Sequence, residues 1–390
     1  MSLLGSRMKV ALLTTDSREL LKDYAKAVPE FGAAPEALLE GFAHLPDVEV
    51  HIVSCARARM NSPSRLAPNI VFHSLYVRKI GWMRTAYQGC IRAVRKKLRE
   101  IQPDIVHGQG TELDCALNAA FSGFPNVVTI HGNMGELARV FRAPIGSFGW
   151  LAARLETFAL KRTRGVFCNS AHTERLVTPR ARRVWRVPNA LREPFFAPLP
   201  PPPGNARCTL VNVGSEVGPR KRQLELLDVV RELRQQGLDF QFQFVGEVRP
   251  SSPYGAAFLD KLKPLEKAGF ACCTGRKLTG ELIGILDAAH GMVHFPPEES
   301  FGLVAVEAAA RDLRFFGARV GGIPDVMAGV PGVELFGVDD WRGLTSSIAA
   351  WIRSGFPRAG GARPTIRARY HPRVIARRHL EIYREVLRRP

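Results

Sequence analysis

Residues 291–310 read GMVHFPPEESFGLVAVEAAA, and this stretch parses as a strand, a loop and a helix. The apolar run ends at Phe295, where Pro296 and Pro297 forbid a central strand from continuing. Gly302 permits a tight turn, and Ala308 to Ala310 let the following helix lie close to a sheet. Glu299 and Glu307 stand eight positions apart. On a single helix that step would return both carboxylates to nearly the same face, where like charges gain nothing from each other. The spacing therefore puts Glu299 before the helix and Glu307 inside it, both directed at something outside the chain. The amides of Gly302, Leu303 and Val304 would be unpaired donors at the positive end of the helix dipole, which suits an anion such as a phosphate. Glu307 is placed to grip a ribose diol, and Glu299 to accept hydrogen bonds from a second polyol.

Strand-like runs alternate with amphipathic segments on both sides of this stretch. In the first half they are MKVALLTT, VEVHIVS, PDIVHGQG, NVVTIHGN, GVFCNSA and RVWRVPN; in the second, CTLVNVGSE, FQFQFVGE, GFACCTG, GMVHFPP and DLRFFGA. Such alternation implies βαβ units and parallel sheets covered on both faces. Between the halves, PLPPPPG at 198–204 reads as a stiff polyproline connector. The expected organisation is an α/β chain of two similar domains: 1–198, on which a closing helix at 371–390 packs back, and 199–370. Ligands of doubly wound sheets bind beyond the carboxyl ends of the strands. That rule directs attention to the loops at 108–110, 131–133, 214–221, 275–277 and 296–302.

A chain of 390 residues with 46% hydrophobic side chains has the make-up of a folded two-domain protein. No stretch approaches the roughly 18 apolar residues of a membrane span, and the first ten residues lack a long apolar leader core, so a cytoplasmic location is expected. The seven cysteines are scattered and never spaced C-x-x-C; they read as reduced core residues rather than a disulfide framework or a zinc site. The net charge of +19 attracts phosphate of any kind, whether in nucleic acid, anionic lipid or a small molecule, and is equally compatible with a merely solvated surface. Neither G-x-G-x-x-G nor G-x-x-x-x-G-K-[ST] is present, which argues against a nicotinamide or flavin cofactor and against a P-loop. There is no D-x-D pair to hold a divalent ion on a nucleotide. Bound phosphates would be neutralised by side chains and helix ends.

The run from Glu299 to Ala310 resembles the Glu-x7-Glu signature of the family-4 retaining glycosyltransferases of GT-B fold, with its E-x-F-G start and E-A-x-A end. GSEVGPRKRQLELLDVV, LTGELIGILDAAHGMVHFPP and GARVGGIPDVM are similar to the segments flanking that signature, and PDIVHGQG, TIHG, RVPNAL and RRHLEIYREVL to looser patterns elsewhere. The resemblance implies two Rossmann-like doubly wound domains facing a central cleft. It assigns Glu307 to the nucleotide ribose, Glu299 to donor-sugar hydroxyls, and the amides of Phe301, Gly302 and Leu303 to sugar and diphosphate. Lys221 falls on the diphosphate lysine, Gly275 and Arg276 where the base is held, and His131 where a histidine approaches the donor sugar from the amino-terminal domain. The family's arginine after the glycine of VGS is missing: Ser215 and Glu216 follow Gly214, and Arg220 is the candidate replacement. In the amino-terminal loop FGAAPEAL only Gly32 matches, and Asn133 completes the candidate loop residues.

What the resemblance implies is metal-independent transfer of a sugar from a UDP- or GDP-sugar to an acceptor hydroxyl, with retention, on a glycan or lipid-linked acceptor and without a bound cofactor. Polysaccharide or glycolipid biosynthesis is the expected setting. The rival readings are a nucleotide-sugar epimerase of the same fold and a non-catalytic basic scaffold binding membrane or nucleic acid; under the transferase reading no nucleic-acid partner is expected. In IGWMRTAYQGCIRAVRKKLREI, residues 80–101, Met83, Tyr87, Ile91, Val94 and Leu98 recur at helical spacing among arginines and lysines. This seam is read either as a peripheral contact with the anionic inner face of a membrane or as a sheet-covering helix with a wet basic back.

Overall fold

The computed structural model describes residues 7–201, 204 and 207–388. The chain divides into two compact units, Met1–Arg192 with Tyr370–Pro390, and Glu193–Arg369. The division falls a few residues before the proline run rather than at 198, and Pro202 and Pro203 of the expected connector lie outside the described residues. The segment after Glu193 is held by the second unit, because the buried guanidinium of Arg311 donates to the carbonyls of Phe195 (3.2 Å) and Ala197 (2.7 Å).

The first unit is built on strands β1 (Met8–Leu13), β2 (Val48–Ala56), β3 (Arg65–Ala67), β4 (Ile70–Tyr76), β5 (Ile105–Gln109), β6 (Asn126–Ile130), β7 (Val166–Cys168) and β8 (Val184–Arg186). They form one sheet in the order β3-β4-β2-β1-β5-β6-β7-β8, parallel throughout except where β3 pairs antiparallel with β4. Strands such as β5 and β6 are buried along their whole length, as expected of a parallel sheet covered on both faces. One cover is the helix Pro372–Arg388, which packs on the helix Ala33–Ala43. Its Tyr383 hydroxyl lies 2.5 Å from Nδ1 of His107, whose Nε2 lies 2.7 Å from the Thr129 hydroxyl. Burial, followed by the neighbouring His379, holds His107 well below the usual imidazole range, so it serves as a neutral hydrogen-bonding core residue.

The structure decides the two readings of residues 80–101. The helix runs only over Gln88–Ile101, and Tyr87, Ile91, Val94 and Leu98 are buried in the core under the sheet, with Met83 packed against it. The seam is the sheet-covering face of the helix, so its apolar side chains are not available to a membrane. The basic residues around it are the wet back of an ordinary amphipathic helix.

The second unit carries β9 (Cys208–Glu216), β10 (Phe240–Glu247), β11 (Ala271–Cys273), β12 (Gly291–His294), β13 (Arg314–Ala318) and β14 (Val333–Phe336). The sheet is parallel throughout, in the order β11-β10-β9-β12-β13-β14. In β10 the sequence FQFQF buries Phe240, Phe242 and Phe244 completely and leaves the glutamines partly open. The order runs outward from β9 to one edge and from β12 to the other. The connections therefore reverse between these two strands, and their carboxyl ends leave a crevice where the covering helices part.

Gly41 tests how closely the returning helix is seated. A Cβ there would lie 2.3 Å from the Pro372 carbonyl oxygen and 2.8 Å from the Ala376 Cβ. Gly41→Ala is expected to destabilise the protein by about 1–3 kcal/mol through overpacking, read as a lower urea midpoint at unchanged slope.

Candidate functional site

The crevice between β9 and β12 gathers most of the residues singled out in the second half of the sequence. From the β9 side, Gly214 and Ser215 end the strand and lead to Arg220 and Lys221; from the β12 side come His294 and the loop 295–302. The Lys221 ammonium lies 2.6 Å from Oε2 of Glu299. Nε2 of His294 lies 3.3 Å from the same carboxylate oxygen. Burial alone would push the Glu299 carboxyl up, but the Lys221 charge and the contacts with His294 outweigh it and hold the group well below the usual carboxylate range. His294 is fully buried and its own value is lowered, chiefly by that burial, so it meets Glu299 as a neutral imidazole donating one hydrogen bond.

Glu298, beside it, takes the opposite course. Burial and the Glu299 charge push its carboxyl up, against the pull of Arg220, whose guanidinium is 3.5 Å away. Arg220, the candidate replacement for the missing arginine, is half exposed and pairs with Glu298 rather than with Glu299. Gly321 explains why the loop can sit so deep. It has φ 54°, a Cβ on it would fall 1.7 Å from the Glu299 carbonyl oxygen, and the next amide, of Gly322, donates to that oxygen at 2.9 Å. No side chain fits at Gly321, so the glycine pair holds the Glu299 backbone in place.

The loop then turns through Gly302, at φ 89°, into the helix Leu303–Ala310. The buried Phe301 ring anchors the bend, and the Gly302 carbonyl accepts from the Ala305 amide at 2.9 Å. The amides of Leu303 and Val304, ahead of that first bonded amide, have no acceptor within the helix. Glu307 lies in the second turn of this helix, as the spacing required. It is only 7% exposed, and its Oε2 has no hydrogen-bond partner among the described residues. Burial alone pushes its carboxyl up to about 7. A buried carboxylate with no cation beside it and an acceptor atom left without a donor is a costly arrangement.

Three loop glycines line up behind the site. A Cβ on Gly246, at the end of β10, would lie 2.9 Å from the Gly214 carbonyl oxygen, and the Gly246 amide donates to the Gly275 carbonyl at 3.1 Å. Gly275 itself has φ 71°. Arg276 next to it is exposed, as is Ser215. Glu216 turns away from the pocket to an exposed pair with Arg249.

In the first unit, His131 follows β6, with its Nε2 3.0 Å from the Gln109 side-chain oxygen. Burial lowers its basicity, so it is neutral. Asn133 is a helix cap: its side-chain oxygen accepts from the Glu136 amide at 2.9 Å. Gly32 precedes the helix Ala33–Ala43 with φ −62°, and a Cβ there would meet only ordinary contact, so its backbone places no demand for glycine. The organiser of these loops is Glu156, which the sequence reading passed over. Fully buried, it accepts from Thr111, from the amides of Met134 and Gly135, and from Arg180 at 2.9 Å.

Cys55, Cys90 and Asp114, also in the first unit, bring potential metal-ligand atoms within 4.8 Å of one another in the core. Their sequence spacing gave no hint of it. The Asp114 carboxylate there accepts from the Asn118 amide at 2.7 Å.

The first unit matches the family model described as Glycosyltransferase Family 4 over residues 37–192, and the second matches that described as Glycosyl transferases group 1 over 207–354. The chain belongs to the family-4 glycosyltransferases. Its fold is GT-B, shared at low identity with many solved structures. A sucrose-phosphate synthase from Thermosynechococcus elongatus is 17% identical with a TM-score of 0.77, covering 98% of this glycosyltransferase and 100% of its own chain. A glycosyltransferase from Rickettsia africae is 13% identical, TM-score 0.70, covering 98% and 100%. The Anabaena protein HepE, in complex with UDP-glucose, is 14% identical, TM-score 0.72, covering 97% and 100%. No curated protein matches the sequence. Among the described residues no helix of this glycosyltransferase is long and apolar enough to cross a membrane.

The isolation of Glu307 has a measurable consequence. Its folded-state value lies above the unfolded one, so the stabilisation of the protonated form is complete below pH 4.5 and is lost as pH rises through about 7. Glu307→Gln is expected to leave stability unchanged at pH 4 and to raise that of the ligand-free protein at pH 8 by up to about 3 kcal/mol. Thermal denaturation at the two pH values is the measurement.

Proposed function

We propose that the protein is a retaining glycosyltransferase that moves a sugar from a nucleoside-diphosphate sugar, UDP- or GDP-linked, to an acceptor hydroxyl. The observation that carries this reading is Glu307: a buried acceptor atom without a partner, in the second turn of a helix whose first amides open onto the crevice. A ribose hydroxyl supplies the donor that Glu307 Oε2 lacks. The diphosphate then lies against the amides at the Gly302 bend and within reach of Lys221 and Arg220. HepE, of the same fold, binds UDP-glucose, which favours a uridine nucleotide.

The ion pair at the centre of the site gives the order of events. Without donor, Lys221 and Glu299 satisfy each other. When a diphosphate arrives, the ammonium turns to it, and Glu299 is released to accept hydrogen bonds from the sugar while His294 keeps it in place. As the bond from anomeric carbon to phosphate oxygen breaks, negative charge grows on the phosphate, where Lys221, Arg220 and the amide dipoles stabilise it. The departing phosphate accepts the proton of the attacking hydroxyl on the same face, which yields retention without a covalent intermediate and without a metal ion. His131, a neutral hydrogen-bonding group, and the loop from Gly32 belong to the acceptor side of this reading. The acceptor is a glycan or a lipid-linked sugar.

A screen of UDP-, GDP- and ADP-sugars by thermal shift tests the donor. One nucleotide series is expected to raise the melting temperature of the wild type. Lys221→Met and Glu307→Gln are each expected to weaken that donor by roughly 10- to 150-fold, the worth of a charge-assisted hydrogen bond. Unchanged affinity in Glu307→Gln would remove the ribose assignment. Release of free or epimerised sugar with no acceptor present would favour the epimerase, and the anomeric proton coupling of the product reports retention directly.

A further inference from the structure

The first unit carries a surface outside the residues assigned above to the transfer reaction. Between Leu137 and Arg162 the chain places Arg139, Arg142, Arg154, Lys161 and Arg162 on the exterior, Arg139 paired with Glu136 just before that span. The one carboxylate in that span, Glu156, is fully buried and engaged by Arg180. Among these cations stand large apolar side chains facing water: Phe141 (40% exposed), Ile145 (87%), Phe148 (55%) and Phe158 (47%). Phe141 and Ile145 lie in the loop before the helix Phe148–Arg162 and Phe148 begins it.

The helix is two-faced in a way its fold does not require. Ala152, Glu156, Ala159 and Leu160 make the buried face. The other face repeats at helical spacing through Trp150, Arg154, Phe158 and Lys161, and these four side chains border one cavity of about 420 Å³. The Arg154 guanidinium lies over the Trp150 ring at 4.6 Å, and that of Arg162 over Phe121 at 4.5 Å. Arg154 and Arg162 thus flank aromatic rings.

We propose that this face, the loop 141–148 with the outer side of the helix Phe148–Arg162, seats the protein on an anionic lipid bilayer. The charge favours an anionic partner surface and repels a cationic one, and the exposed Ile145 and phenylalanine side chains have no hydrogen-bonding use on a nucleic-acid backbone. A bilayer interface accepts both: arginine and lysine meet anionic headgroups while the aromatic and aliphatic side chains enter the acyl boundary. The face replaces the apolar seam of 80–101, which is core. Membrane seating does not depend on the donor chemistry, so it stands or falls separately from the proposed transfer reaction.

Cosedimentation of the full chain with vesicles tests it, comparing phosphatidylcholine alone with phosphatidylcholine containing phosphatidylglycerol. Binding is expected only with phosphatidylglycerol. Ile145→Ser with Phe148→Ser is expected to lower the partition coefficient at least about tenfold, and Arg154→Gln with Lys161→Gln by roughly fivefold per charge. All four residues are at the surface, and unchanged melting temperatures establish that the variants fold. Lys263→Gln with Arg353→Gln removes the same charge from the second unit and is expected to leave binding within about twofold. Equal binding to both vesicle types, an equal loss in the control pair, or vesicle binding untouched by the serine variants would each overturn the proposal. So would tight binding of duplex nucleic acid that depends on Arg154 and Lys161 while vesicles bind weakly.

Discussion

The pairing of Lys221 with Glu299 is the contact around which the second unit is arranged. The two residues are 78 positions apart and meet because β9 and β12 are neighbours at the point where the strand order reverses. A crevice of that kind is where helix starts and loop ends converge without covering one another. His294 buttresses the carboxylate from below, Gly321 clears room for its backbone, and Glu298 brings Arg220 to the same place. Two adjacent carboxyls pushed in opposite directions, Glu299 down and Glu298 up, show how strongly position within a few ångströms governs charge in a partly dry site.

The site is also where the fold bears a local cost. Glu307 is buried without a complete set of partners in a helix otherwise made of small apolar residues that pack well against the sheet. A sequence optimised for stability alone would place an apolar or amide side chain there. The first unit shows the contrasting case. Its buried Glu156 is fully engaged by two backbone amides, a threonine hydroxyl and Arg180, and so spends its charge on holding three loops together. The two carboxylates thus differ in what burial costs them: Glu156 is met by donors on every side, and Glu307 keeps an acceptor atom without one.

The two basic helices of the first unit make a similar pair. In the helix Gln88–Ile101 the apolar stripe faces the sheet and the cations face water, which is the ordinary solution for a covering helix. In the helix Phe148–Arg162 aromatic residues stay outside with the cations after the core face has been filled by alanine, leucine and the buried Glu156. Composition alone ranks the first helix as the better membrane candidate. Burial reverses that order, because an apolar stripe can serve one neighbour only.

The sequence by itself determined the alternation of strands and helices, the doubling of the α/β pattern, and the bend at Gly302 with one carboxylate before it and one after. These depend on local rules: proline stops, glycine turns, and hydrophobic periods that the chain carries in any context. It also pointed to Lys221, Glu299 and Glu307 through spacing and resemblance. Only the tertiary structure decided that Lys221 and Glu299 touch, that His294 and Gly321 support them, that Asn133 caps a helix, and that Gly32 is not under conformational demand. These facts rest on contacts between segments far apart in the chain, brought together by the order of strands in a sheet, and no local period encodes that order. The same reason explains why the apolar seam at 80–101 misled: periodicity shows that a helix has an apolar face, but what covers that face is settled only by the rest of the fold.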